Sequence, residues 1–527
     1  MAAPATPNLE GERPGRGLGP TLAVLVAAVL FMASLAFILP VDHDEGQYIA
    51  AASLAARGLR PYADFIYLQT PLQPFLTAPV ARLASGGAFI ALRLVNALAG
   101  AGVLALVFFI QRRLGVGTRR AAAAAALLGA CYIFQFGCGV ARNDALPVLA
   151  EVLALAAALT ALGDGPKGGW RTTALWLLAG LGLGAAVSLK VSYALPLAGA
   201  GLFVLAGVWR RILAWPALAA FNLGALAGVA PCLLALASFP EAYVFDTLGY
   251  HATAPRVWYA AIGQSHRLSP LAKIPDGLFA LAVGPALEVL AAVVALSVTR
   301  FRAGVKASPQ LRLIEILALA GLAAALAPTP TQRQYFLPLL PFLFILWGLG
   351  EADLRRSPPR RLSQVMTAAI AIGALIGAGR YAYLVGDSAV RLARRELPPI
   401  LQVTDQAHWI GGRLAAAGVR GEIVTPSPQG VVDSGYPLDP RLAAGPFFYR
   451  TGDLVSDGQQ RRLHAISPRS LAAFLDEVPP AAIVVGLEPR QGPSGRSVDD
   501  DFRAYAMARG YRREKSPTGL AELFIRP

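Results

Sequence analysis

The chain has 527 residues, of which 55% are hydrophobic and only 15% are charged, and its mean hydropathy is +0.52. Soluble domains carry about 25% charged residues, so this composition excludes a wholly soluble protein and indicates a polytopic membrane protein. The net charge of +15 does not indicate nucleic-acid binding, because many basic residues lie in short loops between apolar segments, as the positive-inside rule describes.

The apolar segments predict about eleven membrane-spanning helices, each close to the length that a bilayer requires. The predicted spans are 20–39, 87–111, 121–137, 145–162, 173–189, 192–208, 213–238, 278–298, 313–327, 335–350 and 364–385. The basic loops between them all lie on one side of the membrane if the N-terminus is cytoplasmic. We therefore expect a multi-pass membrane protein whose N-terminus is cytoplasmic.

Three regions follow from this pattern. Residues 1–19 form a predicted cytoplasmic tail, 20–386 the membrane domain and 387–527 an extracytoplasmic domain. The last region alternates short β-prone runs, such as Ala481–Val485, with helical patterns, such as Val403–Ala417, which predicts a small α/β domain. No glycine-rich phosphate loop opens it, so we do not expect a nucleotide site there.

An acidic segment follows the first span directly. Asp42, Asp44 and Glu45 emerge together at the predicted outer membrane surface. One interpretation is a helix N-cap with acidic residues in its first turn, closed by Gly58 as the C-cap. The other is catalytic: Asp44 is a general base, and Glu45 or Asp42 positions substrate or binds a cation. Tyr48 lies four residues after Asp44, on the same helix face.

A second acidic position, Asp144, lies with Arg142 in the short outer loop between the third and fourth predicted spans. On the predicted topology this loop shares a membrane face with Asp44, so Asp144 and Arg142 are candidate site residues, and we expect Arg142 and Tyr48 to bind substrate. The alternative is a surface ion pair of Arg142 with Asp144, which contributes little.

Several cations lie on the outer side, against the positive-inside bias. They are Lys190, Arg256, Arg267 and Arg333, the last followed by Tyr335. An anionic lipid phosphate would account for them, and we expect these residues to bind substrate. Snorkelling to the interface is the alternative for Lys190 and Arg333.

The motif Asp44-Glu45-Gly46-Gln47-Tyr48, followed by Gly58-Leu-Arg-Pro-Tyr62, resembles the bacterial glycosyltransferases related to dolichyl-phosphate-mannose–protein mannosyltransferases. The aminoarabinose transferases of lipid A belong to the same GT-C group. The stretch Arg333-Gln-Tyr335 also resembles an outer loop of that family. The resemblance covers roughly residues 20–350 and implies a helical GT-C fold of about eleven spans.

For the site, the resemblance implies that Asp44 is the base and Asp144 a second carboxylate, and that Arg333 and Lys190 hold the lipid phosphate. It implies transfer of a sugar, with inversion, from a polyprenyl-phosphate donor to a lipid, glycan or protein acceptor at the outer face of the bacterial inner membrane. No cofactor is required by the sequence, and a divalent cation is left open. The alternatives are a transporter or flippase of a lipid-linked sugar and a structural membrane protein.

Overall fold

The computed structural model describes residues 18–165, 169–354, 360–491 and 495–527. Residues 1–17 of the predicted N-terminal tail lie outside this part of the chain. The described α-helices are α1 Leu18–Ile38, α2 Glu45–Ala56, α3 Leu72–Leu83, α4 Ala88–Arg113, α5 Thr118–Ala130, α6 Tyr132–Gly139, α7 Ala145–Asp164, α8 Gly169–Leu189, α9 Ala194–Trp209, α10 Trp215–Ser238, α11 Pro240–Val244, α12 Tyr250–Ala261, α13 Lys273–Ala282, α14 Ala286–Arg302, α15 Pro309–Leu326, α16 Leu340–Leu354, α17 Arg360–Ala393, α18 Pro399–Ala416, α19 Pro446–Tyr449, α20 Asp457–Arg462, α21 Leu471–Glu477 and α22 Asp499–Ala508.

Eight of the described helices are long and apolar enough to cross a membrane, or ten if each of two bent pairs counts as one span. The bent pairs are α5 with α6, at 72°, and the segment Pro270–Ala282 with α14, at 103°. The apolar part of α16, Leu340–Gly350, is shorter. Each predicted span corresponds to one of these elements, so the predicted helical, polytopic architecture is confirmed.

The helices α8 and α10 pack very closely through glycines. Gly180 and Gly184 of α8 face Gly224 and Gly228 of α10, and a Cβ at any of these positions would overlap the backbone of the opposite helix. Small residues spaced by four let membrane helices approach in this way. The pair fixes the end of α8, after which Lys190 follows.

The C-terminal region contains a four-stranded sheet of order β1-β2-β4-β3, which confirms the predicted α/β layer. Its strands are β1 Ile423–Val424, β2 Ala482–Val485, β3 Arg512–Lys515 and β4 Glu522–Ile525. β1 pairs parallel with β2, and the other pairs are antiparallel. The sequence analysis did not predict β3, because its four residues are all charged, a composition that protects edge strands from further pairing.

The C-terminal region packs directly on the acidic segment. One apolar cluster contains Tyr48 and Tyr67 together with Ile423 and Leu523 from the sheet. A Cβ at Gly46 would overlap the side chain and ring of the Gln429–Pro428 turn. The acidic motif and the C-terminal region therefore form a single packed unit.

Candidate active site

The acidic segment before α2 contacts the loop that carries Arg142, which lies between α6 and α7. Arg142 Nη1 donates to Asp42 Oδ1 at 2.6 Å and also to Asp44 Oδ2, and its Nε donates to Asp144 Oδ2 at 3.1 Å. One guanidinium thus bridges three carboxylates from two separate loops. The Arg142–Asp144 contact is nearly buried, unlike the exposed ion pair that was the alternative.

Asp44 lies at the N-cap of α2, but its carboxylate makes no capping hydrogen bond. It faces Arg142 instead, so the N-cap interpretation does not describe its side chain. The helix does end as predicted, with Gly58 at φ = +91° after Arg57, a conformation that favours glycine.

Glu45 is fully buried and holds the two loops together. It accepts hydrogen bonds from Arg93 Nε at 2.7 Å, Arg93 Nη2 at 2.6 Å, the Asp42 amide at 2.8 Å and the Ala141 amide at 2.7 Å. Three residues after Arg93, Asn96 donates to the carbonyls of Val140 and Arg142. Both oxygens of Glu45 accept hydrogen bonds and its side chain is not exposed to solvent, so its geometry suits the positioning of the two loops.

Asp144 links the carboxylate cluster to Lys190. The Lys190 ammonium donates to Asp144 Oδ1 and lies 5.6 Å from the ring centre of Tyr335. Tyr335 belongs to the short turn Arg333–Phe336 before α16. Four predicted site residues from three separate parts of the chain, namely Arg142, Asp144, Lys190 and Tyr335, are therefore brought together.

The three aspartates differ in accessibility. The Asp44 side chain is 29% exposed, that of Asp42 is 19% exposed and that of Asp144 is 1% exposed. Burial alone would raise the pKa of Asp44, but Arg142 and His43 outweigh burial and hold it well below its usual range. Burial, with smaller contributions from Asp144 and Asp44, raises the pKa of Tyr48 well above its ordinary value. Asp44 is therefore an ionised, accessible carboxylate beside a neutral phenol.

Arg333 lies beside this cluster, on an aromatic surface provided by α6. Its guanidinium is 4.5 Å from the ring centre of Phe136 and 5.0 Å from that of Tyr132. Phe136 also lies under Arg142, at 5.4 Å. Arg380 of α17 lies 3.6 Å from the Tyr132 ring centre. Within the described residues, neither Arg333 nor Arg380 has a carboxylate partner.

The C-terminal region reaches the site through His43. Its Nε2 lies 3.2 Å from Glu488 Oε2 and its Nδ1 lies 3.5 Å from Asp44 Oδ1. Ser427 Oγ donates to Glu488 Oε1 at 2.5 Å and so fixes this carboxylate. Burial lowers the pKa of His43, but hydrogen bonds to Asp44 and Glu488 outweigh it and raise the pKa to about 9. His43 is therefore an imidazolium held between two carboxylates.

The two remaining predicted cations are Arg256, which lies on α12, and Arg267, which lies on the segment between α12 and α13. Arg267 pairs with Asp276 at 3.4 Å and lies 5.6 Å from the ring centre of Tyr259. Tyr259 accepts a hydrogen bond from Gln332, the neighbour of Arg333, at 3.1 Å. Arg256 is exposed on α12 and has no hydrogen bond or ion pair with any described side chain.

The sequence analysis missed several residues of this arrangement, namely Arg93, Asn96, Arg380, Glu488 and Arg450. A signal existed for Arg93 and Arg380, because each is an arginine within a predicted apolar span, and charged residues inside spans commonly mark function. No local signal distinguished Glu488, because its contact with His43 joins residues 445 positions apart.

A divalent cation would meet strong competition at these carboxylates. Asp42, Asp44 and Asp144 each pair with Arg142, and Lys190 also pairs with Asp144. Among the described residues, no group of three or more His, Cys, Asp or Glu side chains could hold a metal ion. These aspartates are therefore better suited as partners of Arg142 and Lys190 than as ligands of a bound metal ion.

Comparison with known proteins gives a family model and several solved structures. Residues 68–234, which include Arg142, Asp144 and Lys190, match the model for dolichyl-phosphate-mannose-protein mannosyltransferase. No curated protein sequence matches the chain.

Structural likeness extends over nearly the whole chain. ArnT from Cupriavidus metallidurans bound to undecaprenyl phosphate is 17% identical, with 96% of this chain and 98% of ArnT covered and a TM-score of 0.60. The apo form of ArnT is 16% identical, with 95% of this chain and 97% of that chain covered and a TM-score of 0.56. The apo oligosaccharyltransferase of Archaeoglobus fulgidus is 14% identical, with 95% of this chain and 74% of that chain covered and a TM-score of 0.51. The chain therefore has the GT-C fold of a multi-pass membrane protein, as the acidic motif predicted.

Proposed function

We propose that this GT-C protein is a membrane glycosyltransferase that moves a sugar from a polyprenyl-phosphate donor to a hydroxyl or amine of an envelope acceptor. One observation carries the proposal: the accessible carboxylate of Asp44 lies beside a cationic, aromatic surface whose arginines have no carboxylate partner in the part of the chain that the structure describes. A base and an anion site thus lie together at the end of membrane helices.

The donor phosphate binds to Arg333 and Arg380. These two guanidiniums contact the same Tyr132 ring, at 5.0 and 3.6 Å, so one anionic group can contact both. The ArnT structure with undecaprenyl phosphate supports a lipid phosphate as that group. Lys190 was predicted to hold the phosphate as well, but its ion pair with Asp144 supports a role in orienting that carboxylate.

The chemistry requires one displacement. The acceptor oxygen or nitrogen attacks the anomeric carbon as the bond to the phosphate oxygen breaks, which inverts the configuration. The proton passes to Asp44, and Arg333 stabilises the charge that grows on the departing phosphate. The low pKa of Asp44 makes it a weak base, so it accepts the proton late in the displacement, when the attacking atom has gained positive charge from its new bond to the anomeric carbon. Glu45 and Arg93 position the loop that carries Asp44.

The reaction takes place at the outer face of the bacterial inner membrane. The support is the distribution of basic residues, because Arg112, Arg113, Arg210 and Arg211 lie at the opposite ends of helices from the site. Arg355 and Arg356 of the same basic side lie outside the described residues. A lipid-borne donor also explains why the site is at a membrane surface.

Transport of a lipid-linked sugar is the alternative function. It requires passage between the two faces. A cavity of about 330 Å³ does open at the other end of α4 and α7, lined by Arg113, Thr160 and Gln310 among others. Buried apolar side chains, including Val103 and Leu155, fill those helices between this cavity and the site. This packing favours transfer at one face.

Asp44→Asn tests the proposal. We expect transfer from undecaprenyl-phosphate sugars to fall roughly 10²- to 10⁴-fold, the usual effect of losing a general base, while donor binding is retained. Asp405→Asn, which changes an exposed carboxylate on α18, is the matched control and keeps full activity. A wild-type rate in the Asp44 variant would show that Asp44 is not the base.

A further inference from the structure

Arg450 is a partly buried cation that forms no ion pair with any described side chain, although the carboxylates of Glu488 and Asp44 act on it from a longer distance. Its guanidinium lies 4.0 Å from the ring centre of Trp258 and 4.9 Å from that of Phe447. Within the described residues, its side chain makes no hydrogen bond or ion pair. A guanidinium has five donors and stays charged, and burying such a group is unfavourable unless a partner compensates. The position therefore calls for an anionic ligand.

Arg450 lines a cavity between α12 and the C-terminal region. The cavity has a volume of about 210 Å³, and its walls include Trp258, Ile262, Tyr449 and Asp501. Asp501 accepts hydrogen bonds from Tyr449 at 3.0 Å and from Arg496 at 2.7 Å. A carboxylate has about four lone-pair positions, so Asp501 can still accept hydrogen bonds from ligand hydroxyl groups.

The cavity is adjacent to the proposed base. Glu488 contributes to its wall and contacts His43, which in turn contacts Asp44. The ring of Phe447 lies between the two cations, 4.9 Å from both the His43 ring and the Arg450 guanidinium. A molecule bound at Arg450 is thus separated from Asp44 by a single layer of side chains.

We propose that this cavity binds the sugar acceptor, and that the acceptor is an acidic saccharide whose phosphate or carboxylate pairs with Arg450. The proposal rests on the proposed function, since it assigns the acceptor side of the same reaction. Arg450 supplies a charge-assisted, bidentate contact to the anionic group. The apolar wall of Trp258 and Ile262 and the polar edge of Asp501 match the two kinds of surface that a sugar presents.

Binding measurements on the full-length protein in detergent micelles test this assignment without requiring turnover. The probes are glucose 6-phosphate, glucuronic acid, glucose and inorganic phosphate, titrated by calorimetry. We expect the two acidic sugars to bind more tightly than glucose and more tightly than inorganic phosphate. Arg450→Gln should weaken acidic-sugar binding by about tenfold or more, because a hydrogen-bonded charge is lost.

Four further variants make the result specific. Arg512→Gln removes an exposed arginine of β3 and should leave affinity unchanged. Arg333→Gln should weaken undecaprenyl phosphate and leave the acidic sugars unaffected. Asp44→Asn should keep acidic-sugar affinity, so that a failure of transfer is distinguishable from a failure of this site. Arg450→Lys, which retains the charge, should recover part of the binding and controls for folding.

Other outcomes overturn the proposal. If glucose bound as tightly as the acidic sugars, Arg450 would have no role in recognising an anionic group. If inorganic phosphate bound as tightly as glucose 6-phosphate, the cavity would recognise the anion alone and not a saccharide. Loss of acidic-sugar binding in the Arg333 variant, with none in the Arg450 variant, would assign the anion to the donor site. Absence of binding to the wild type would exclude the acidic saccharides as ligands.

Discussion

The contact between His43 and Glu488 gives the site a measurable dependence on pH. The pKa of His43 is about 9 in the folded protein, against an ordinary value of 6.5. This difference corresponds to about 3 kcal/mol of stabilisation of the imidazolium. The side chain is 30% exposed, so solvent screening reduces the amount, and Asp44 shares the contact. Replacing Glu488 by Gln should therefore lower the free energy of unfolding by about 1–2 kcal/mol.

The sign of the pH dependence follows from the raised pKa of His43. Folding stabilises the protonated ring, so the stabilisation is complete below pH 6.5, declines as the pH rises through about 9, and is absent above that. The difference between wild type and Glu488→Gln should therefore be largest near pH 6 and close to zero near pH 10.

Chemical unfolding of the micelle-solubilised protein at the two pH values measures this difference. Ser427→Ala is the matched control, because it removes a neutral partner of Glu488 and should destabilise the protein without this marked pH dependence. If Glu488→Gln were equally destabilising at both pH values, the contact would act through packing and the electrostatic account of His43 would be wrong.

Four further predictions follow from the site. Glu45→Gln should destabilise the protein by roughly 3–5 kcal/mol, because it leaves the buried Arg93 unpaired; an inactive variant with unchanged stability would instead make Glu45 catalytic. EDTA should leave the transfer rate unchanged, because Arg142 and Lys190 already neutralise the aspartates; loss of activity restored by Mg²⁺ or Mn²⁺ would contradict this. A reporter that works only in the cytoplasm should stay silent when fused at Pro527, and activity there would reverse the topology. Arg333→Ala should raise the KM for the polyprenyl donor and lower kcat, with partial recovery in Arg333→Lys; unchanged donor kinetics in both would leave Arg333 an interfacial anchor.

Much of the fold could be predicted because the length of an apolar segment can be determined from the local sequence alone. The third and eighth predicted spans, at 121–137 and 278–298, illustrate the limit, since both are bent pairs of helices. Hydropathy records that a segment is apolar and does not record its direction. The 72° bend after Ala130 is nevertheless what places Tyr132 and Phe136 beside Arg333.

The candidate site was predictable to the extent that its residues lie near span ends. Asp44, Asp144, Lys190 and Tyr335 were singled out from their position at one membrane face, and the structure brings them together. The roles of Glu45 and Lys190 were not predictable, because each role depends on the residue with which the side chain forms its ion pair. Only the packed structure shows that Glu45 pairs with Arg93 and that Lys190 pairs with Asp144.

The junction between the acidic segment and the C-terminal region also has a consequence for biosynthesis. Glu488 is translated 445 residues after His43, which at cellular rates of about 5–20 residues per second is a delay of roughly 20–90 s. Throughout that interval Asp44 and its neighbours exist in the nascent chain without Glu488 and without the Gln429 turn that covers Gly46. The completed carboxylate–imidazolium arrangement therefore arises only near termination, so a chain truncated after its last span would carry the acidic motif in an unassembled form.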